Sequence, residues 1–274
     1  MREGVPDKDE YDKLLKTKLF RSIEEFSNAF HGDNSKLFSE YGRNWVTDPL
    51  HQWSRQWEYP FIYQAIERYC RNKPGATILD AGSGYTFFPY LLARDNAEAS
   101  ITCVDADESL SHMYDQTLSS EADRVRFISG DLRDLPLKKA QYDLIYCVSV
   151  LEHTRGYADI VKQFHRVAKP SALLIITFDI SLSGLSDIPV NKSRELLAEI
   201  RSLFPRVAAD DEVFSLNIDK DKVLNTKQFL SSNKQLLPWR LPLANYMKDA
   251  IKGKFRPTLY KRLTIFCGCF GKTE

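Results

Sequence analysis

Long apolar runs are missing from this 274-residue chain. Its most apolar stretches, such as Ala172-Leu-Leu-Ile-Ile-Thr177, fall far short of the roughly 18–20 residues that a membrane helix needs, so no membrane insertion is expected. An excess of one charge is missing too: 38 Lys+Arg stand against 37 Asp+Glu, a formal net of +1. That balance excludes a dedicated, highly basic nucleic-acid arm. Glycine and proline are sparse, twelve of each and without a period, which excludes a collagen-like repeat or a low-complexity linker. A hydrophobic share of 43% with 27% charged residues suits a packed globular chain rather than a disordered one. The segment Met1 to Glu10 is charged and lacks the apolar core of a secretory signal, so the expected setting is cytoplasmic.

Cysteine is scarce as well. Five in a chain of this length do not make a disulfide framework. Cys267 and Cys269 would share one face of a strand in Leu263-Thr-Ile-Phe-Cys-Gly-Cys-Phe270, a conceivable metal half-site. No second Cys or His cluster completes four ligands, and no metal is expected.

What is present divides into two parts. Leu15, Leu19, Ile23, Phe26 and Phe30 recur at helical spacing, and the polar connector His31 to Ser35 interrupts them. Trp45, Trp53, Trp57 and Tyr59 crowd one segment, and Pro60 is placed to open the next helix, which carries Ile62, Ala65, Ile66 and Tyr69. These features predict a helical cap over residues 1–73. From residue 74 to 274 the pattern becomes short apolar strands alternating with helices. The predicted strands are Thr77–Leu79, Ile101–Val104, Val125–Ile128, Tyr142–Val148 and Ala172–Thr177, with Val213–Leu216 and Leu263–Phe270 later. Helices are expected at Ile160–Ala168, stopped by Pro170, and at 193–204. Continuous apolar strands separated by helices mean a doubly wound α/β domain with a parallel sheet covered on both faces.

In such a sheet, ligands bind beyond the carboxyl ends of the strands. The first strand runs into Asp80-Ala-Gly-Ser-Gly84 and the second into Asp105. The third ends at Gly130-Asp131-Leu132 and the fourth at Val148-Ser-Val-Leu-Glu-His153. Glycines let the backbone approach a ligand closely, an acid after the second strand can accept both ribose hydroxyls, and Asp131 with Leu132 can meet the amine and the face of a base.

These segments resemble the class I S-adenosylmethionine-dependent methyltransferases, especially small-molecule members related to quinone-biosynthesis enzymes. Five matches stand in register: Ile78-Leu-Asp-Ala-Gly-Ser-Gly84, Val104-Asp-Ala-Asp107, Gly130-Asp-Leu-Arg-Asp-Leu-Pro136, Tyr142 to His153, and Phe164-His-Arg-Val-Ala-Lys-Pro170. The resemblance covers about residues 74–180. It implies a Rossmann-like, mostly parallel seven-stranded sheet whose antiparallel last strand is Leu263 to Lys272. It also implies S-adenosylmethionine as cofactor, S-adenosylhomocysteine as product, and a methyl acceptor as the partner. By resemblance Asp80, Ala81, Gly82, Ser83 and Gly84 lie along the methionine part, with Asp80 near its amino group. Asp105 holds the ribose, Ala106 borders the adenine, Asp131 and Leu132 flank it, and Val148 offers backbone contacts. Two departures concern loop geometry: Tyr85-Thr86-Phe87 stands where a third glycine is usual, and Pro170-Ser171-Ala172 replaces Pro-Gly-Gly.

A nicotinamide-dinucleotide dehydrogenase is the rival reading. It would need a third glycine at Phe87, and Asp80 would repel a pyrophosphate, whereas an ammonium tolerates that acid. Methyl transfer is therefore expected, to an O, N or C atom of a small molecule, with anionic acceptors among the candidates. His153 is the first candidate base, with Glu152 beside it and His31 and His51 behind. Trp53, Arg55, Trp57 and Tyr59 are candidate lid and substrate residues, because the family's amino-terminal helices commonly close the site. Residues 220–262 hold eleven Lys+Arg and two acids, interrupted by Leu236-Leu-Pro-Trp239, and read as a basic insertion with a solvated face. The alternatives are a methyltransferase acting on RNA or protein, or a non-methylating enzyme or binding protein on the same fold. No Asn/Asp-Pro-Pro-Tyr/Phe tetrad follows the fourth strand, which counts against nucleic acid. A homodimer stays open.

Overall fold

The computed structural model describes residues 1–43, 45–154, 156–184, 188–237, 242–251, 253 and 259–273. Four helices come first: α1 (Lys8–Leu14), α2 (Lys18–Asp33), α3 (Ser35–Tyr41) and α4 (Arg55–Asn72). The chain then alternates through β1 (Thr77–Ala81), α5 (Phe88–Asp95), β2 (Ser100–Asp105), α6 (Ser111–Asp115), β3 (Val125–Ser129), β4 (Tyr142–Val148), α7 (Tyr157–Val167) and β5 (Ala168–Ser181). It closes with β6 (Ile188–Pro189), α8 (Val190–Leu203), α9 (Asp211–Ser215), α10 (Thr226–Ser232), α11 (Pro242–Ile251) and β7 (Leu263–Gly271).

The seven strands form one sheet in the order β3-β2-β1-β4-β5-β6, with β7 pairing β5. Only β7 runs antiparallel, its Leu263 to Gly271 opposite Ser181 to Leu173. Chain order reverses between β1 and β4, whose pairing brings Asp80 beside Tyr146. A crevice forms there because the crossovers from the two strands leave in opposite directions.

Strand alternation sorts the core into two layers. Ile78, Leu144 and Ile175 face the cap and pack with Tyr11, Phe30, Trp57 and Ile66. Their neighbours Leu79, Ile145 and Leu174 face the other way, toward Phe164 of α7 and Leu196 of α8. The amino-terminal helices are thus one covering layer of the sheet. Asp7 closes α1 with a reciprocal capping box to Glu10, and Thr17 Oγ1 accepts from Phe20 N to open α2.

Four local expectations change. Val213–Leu216 is not a strand: α9 takes Val213 to Ser215, and Phe214 packs against Phe266 and Phe270, a run too short for periodicity to decide. Pro60 does not open a helix but lies inside α4, which begins at Arg55. The polar connector is shorter than expected, since α2 continues to Asp33 and only Asn34 separates it from α3. Pro170 does not stop α7, which ends at Val167; Pro170 lies in β5. Ser171, at the departure from Pro-Gly-Gly, adopts φ 61, the left-handed region that glycine would occupy without strain.

Cys267 and Cys269 lie in β7 with the cap-side layer, and Gly4 exchanges backbone hydrogen bonds with Cys267. No group of three His, Cys, Asp or Glu suited to a metal occurs among the described residues. No helix among them is long and apolar enough to cross a membrane. Within the basic insertion, residues 238–241 (Trp239 among them), 252 and 254–258 lie outside the described residues.

Candidate active site

The loop after β1 is built around two glycines. Gly82 and Gly84 adopt φ +78 and +54, where a side chain is strained. Added Cβ atoms would stand 2.5 Å from Val150 and 2.7 Å from the Tyr41 hydroxyl. The amides of Gly82 and Ser83 both donate to Val104 O, at 2.8 and 3.1 Å. Gly84 N donates to Asp105 Oδ2 at 2.9 Å, and Asp107 N to Asp105 Oδ1 at 3.1 Å. Asp105 is therefore fixed by two amides, and each of its oxygens keeps a lone pair for a ligand hydroxyl. Tyr85 and Phe87, in place of a third glycine, are fully buried. Tyr85 packs on Phe38 with ring centroids 4.9 Å apart, so an aromatic lock to α3 steadies the loop.

A cavity of about 390 Å³ opens at the crevice, with Asp80, Gly82, Ser83, Gly84, Asp105 and Val148 on its sheet side. Tyr41, Trp45, Gln52, Arg55 and Tyr59 form its cap side. A second space of about 440 Å³ runs along Ala106, Asp131, Leu132, Arg133 and Ile160. The two share Gly82, Asp105, Val150, His153 and Thr154, which makes one cleft with Asp105 and His153 at the junction.

Its electrostatics differ along its length. Asp131 is exposed and gripped by Arg133, whose Nε lies 3.0 and 3.1 Å from the two carboxylate oxygens; this contact lowers its pKa to about 2. Asp80 is buried, and that burial, with the nearby charge of Asp105, pushes its carboxyl up to about 8. Tyr146 Oη lies beside it without a well-aligned hydrogen bond. A buried acid with no cation of its own is costly, and an ammonium group placed there would relieve it. Together with the two cradling glycines and the free lone pairs of Asp105, this donor set fits a nucleoside carrying an amino-acid tail.

On the cap side, Arg55 Nη1 donates to Glu58 Oε2 at 2.5 Å, and Ser149 Oγ donates to Glu58 Oε1 at 2.6 Å. Burial opposes the Arg55 charge, but Glu58, Tyr59, Asp179 and Glu152 more than offset it. Glu152 Oε1 accepts from Asp179 N at 3.2 Å, and burial followed by the Asp179 charge drives its carboxyl well above the usual range. Ser149 holds φ 49, a strained conformation at the end of β4.

Most of the residues expected from sequence converge on this cleft, but Ala81, Trp53, Trp57, Glu152, His31 and His51 do not line it. Ala81 is buried in β1 and lines neither space. Trp53 stacks on Phe229 at 5.6 Å, and Trp57 is buried in the core beside Cys267. The physical reason is register: α4 starts at Arg55, so Arg55 and Tyr59, four apart, share the cleft face while Trp57 falls on another. His31 stacks on Phe38, and neither it nor His51 lines the cleft. Sequence reasoning missed Tyr41, Trp45, Gln52, Glu58, Asp107, Tyr146 and Ser149. Tyr146 was within reach, because strand alternation places it on the same face as Val148.

A doubly wound sheet with a glycine loop after β1 and acids beyond β2 and β3 defines a nucleoside-cofactor-binding domain of the Rossmann-like kind. Residues 79–176 match the family described as "Methyltransferase domain". The chain is 29% identical over 152 residues to a Mycobacterium tuberculosis protein named "probable S-adenosylmethionine-dependent methyltransferase", covering 54% of this chain and 51% of that one. It is 23% identical over 215 residues to the tRNA U34 carboxymethyltransferase of Ruthia magnifica, covering 73% and 66%. Among solved structures, the cyclase SpnF superposes with a TM-score of 0.53 at 14% identity, covering 99% of each chain, a likeness of fold. The chain spans about half the length of the first of these relatives. Residues 79–176 are thus a methyltransferase domain, and the relatives that share it include proteins named as S-adenosylmethionine-dependent.

Proposed function

We propose that the whole chain is a methyltransferase acting on a small molecule held between Arg55, Tyr59 and the end of β4. The observation that carries this reading is the roof. Tyr41, Trp45, Gln52, Arg55 and Tyr59 cover the part of the cleft over Asp80 and Gly84, where the space is about 390 Å³, within the range of small-ligand sites.

S-adenosylmethionine supplies an electrophilic sulfonium methyl for in-line displacement, a reaction in which positioning does most of the work. Asp80 holds the ammonium, Gly82, Ser83 and Gly84 follow the methionine part, and Asp105 takes the ribose hydroxyls. Ala106, Asp131 and Leu132 border the adenine, and Val148 offers backbone contacts. Arg55 and Tyr59 orient the acceptor and exclude water. His153, at the junction of the two spaces, accepts a proton when the acceptor atom must lose one.

Calorimetry on the full chain tests the first half: binding of S-adenosylmethionine is expected, and no binding sinks the reading. Release of S-adenosylhomocysteine across a panel of small O, N and C acceptors tests the second. An RNA acceptor is the second reading, favoured by the similarity to a tRNA-modifying enzyme across most of this chain. Turnover on bulk tRNA with none on the small-molecule panel would select it. Binding without methyl transfer to any acceptor would point to other chemistry on the same fold.

A further inference from the structure

The charge that an acceptor can carry beside Arg55 and Tyr59 follows from the side chains around that place. Among the described residues, the permanent cations lining the two spaces are Arg55 and Arg133. Both are committed. Arg133 Nε holds the Asp131 carboxylate at 3.0 and 3.1 Å. Arg55 Nη1 donates to Glu58 at 2.5 Å, and Asp179 and Glu152 also act on its charge. Three carboxyl groups thus surround one guanidinium. Across the first space stand Asp80, Asp105 and Asp107, and their partners are neutral. Asp105 takes two amides, and Asp107 takes Ser109 N and Trp45 Nε1 at 3.1 and 3.3 Å. Asp80 lies beside the Tyr146 hydroxyl. S-adenosylmethionine would bring a zwitterionic tail and one sulfonium charge, which leaves this space negative. Tyr41, Trp45, Tyr59 and Phe88 line it as well, and aromatic ring faces attract cations.

We infer that the methyl acceptor is an amine and that the cleft rejects carboxylate and phosphate groups. This rests on the methyl-transfer reading above and narrows its substrate class. A carboxylate approaching Arg55 would also meet the field of Glu58, and like charges at close range discriminate against it. The chemistry favours the same class. An incoming ammonium first passes one proton to His153. The neutral nitrogen then attacks through its lone pair: the C–N bond forms as the C–S bond breaks, and the electron pair of the broken bond stays on sulfur. Positive charge moves from sulfur to nitrogen and is not lost, so the acids of the cleft keep a cation throughout the transfer. Transfer to a carboxylate would extinguish that charge and leave the same acids unbalanced.

The test is calorimetry at neutral pH on the full chain saturated with S-adenosylhomocysteine. The probes share one skeleton and differ in charge: phenethylamine, hydrocinnamamide and hydrocinnamate. Phenethylamine is expected to bind at least about tenfold more tightly than hydrocinnamate, by a margin that shrinks as salt rises. Glu58→Gln, which releases Arg55 from its carboxylate, is expected to narrow that margin about threefold by admitting hydrocinnamate, with phenethylamine little changed. Asp107→Asn, on the opposite wall, is expected to narrow it by weakening phenethylamine instead, and serves if the first variant does not fold. In turnover, S-adenosylhomocysteine is expected from amine acceptors and from none that offers a carboxylate or phosphate oxygen. Equal affinity of amine and acid, no binding of the amine, or methylation of an anionic oxygen overturns the inference and leaves the cofactor reading intact. Failure of S-adenosylhomocysteine itself to bind removes both.

Discussion

Glu58 joins the cap to the sheet: its Oε1 accepts a hydrogen bond from Ser149 Oγ at 2.6 Å, ninety-one residues away in sequence. Its other oxygen takes Arg55 Nη1. The Glu58 side chain is wholly buried, and that of Arg55 is partly buried. One carboxylate therefore sets both the position of the cleft-lining cation and the distance of α4 from the strained end of β4. Such a pair adds little over apolar residues of similar shape, but it is expensive to break on one side.

Glu58→Gln is therefore expected to cost about 1.5–3 kcal/mol in urea unfolding, the range for a hydrogen bond to a charged group. Arg55 keeps the field of Glu152 and Asp179, which holds the loss below that of a fully stranded charge. Arg55→Met is expected to destabilise as well. The double variant should be more stable than the sum of the single losses implies, because removing both partners leaves no stranded charge. Strict additivity would show that the contact is not an energetic unit.

Asp80 gives the cofactor site a pH dependence. Its carboxyl is raised to about 8 by burial, and only its ionised form attracts an ammonium. Affinity for S-adenosylmethionine is expected to climb from about pH 6 to about pH 8 and then level, with a proton released on binding across that rise. Stability without cofactor runs the other way. The folded carboxyl holds a proton that the unfolded one loses near its ordinary value, so this group's contribution is full below about pH 4 and declines as pH rises through about 8. Asp80→Asn should bind the cofactor weakly at every pH, yet melt higher than wild type at about pH 8 when both are cofactor-free. A melting temperature unchanged by the substitution would contradict the assignment of a buried, uncompensated acid.

The sheet was legible because each strand from Thr77 to Thr177 is a short apolar run bounded by a turn, a pattern that depends on few distant contacts. The sheet side of the cleft was legible for a related reason. Asp80, Asp105 and Asp131 sit at or just beyond strand ends, and strand ends are fixed by local sequence. The cap side was not. Which face of α4 meets the cleft depends on where that helix begins, and Arg55 is preceded by a turn rather than a side-chain cap. Trp53, Arg55, Trp57 and Tyr59 are equal candidates in the sequence; with α4 starting at Arg55, Arg55 and Tyr59 line the cleft while Trp53 and Trp57 pack in the core. Tyr41 and Trp45 reach the cleft only through tertiary packing of α3 and the segment after it, which no periodicity encodes.

The tryptophans separate these two kinds of role. Trp53 and Trp57 are core residues, so Trp53→Ala is expected to cost about 3–5 kcal/mol of stability while the remaining folded protein binds cofactor as wild type does. Trp45 is 54% exposed and donates from Nε1 to Asp107 Oδ2 at 3.3 Å, on the wall of the cleft. Its fluorescence should change when cofactor is added, and Trp45→Phe should abolish that change without lowering the melting temperature. A response that survives in Trp45→Phe and disappears with a core tryptophan would reverse the two roles.

Asp105 is where loop architecture and ligand binding meet, and the substitution chosen decides which is read. Asp105→Ala removes the acceptor for Gly84 N and Asp107 N together with any ribose contact, so both the loop and the cofactor suffer. Asp105→Asn keeps one carbonyl oxygen but puts a donor where the other accepted, facing one of the two amides. Asp105→Glu keeps both acceptors and displaces them by one methylene. If the acid only organises the loop, the glutamate, whose longer chain can still reach the amides, restores most of the affinity. If it binds ribose hydroxyls, that displacement matters as much as deletion, and both Asp105→Glu and Asp105→Ala weaken S-adenosylmethionine by at least about tenfold, the value of one lost charged hydrogen bond. Calorimetry with adenine in parallel completes the comparison, since adenine lacks the ribose. Its affinity should be indifferent to Asp105→Glu, and a parallel loss there would mean the glutamate had disturbed the cleft as a whole.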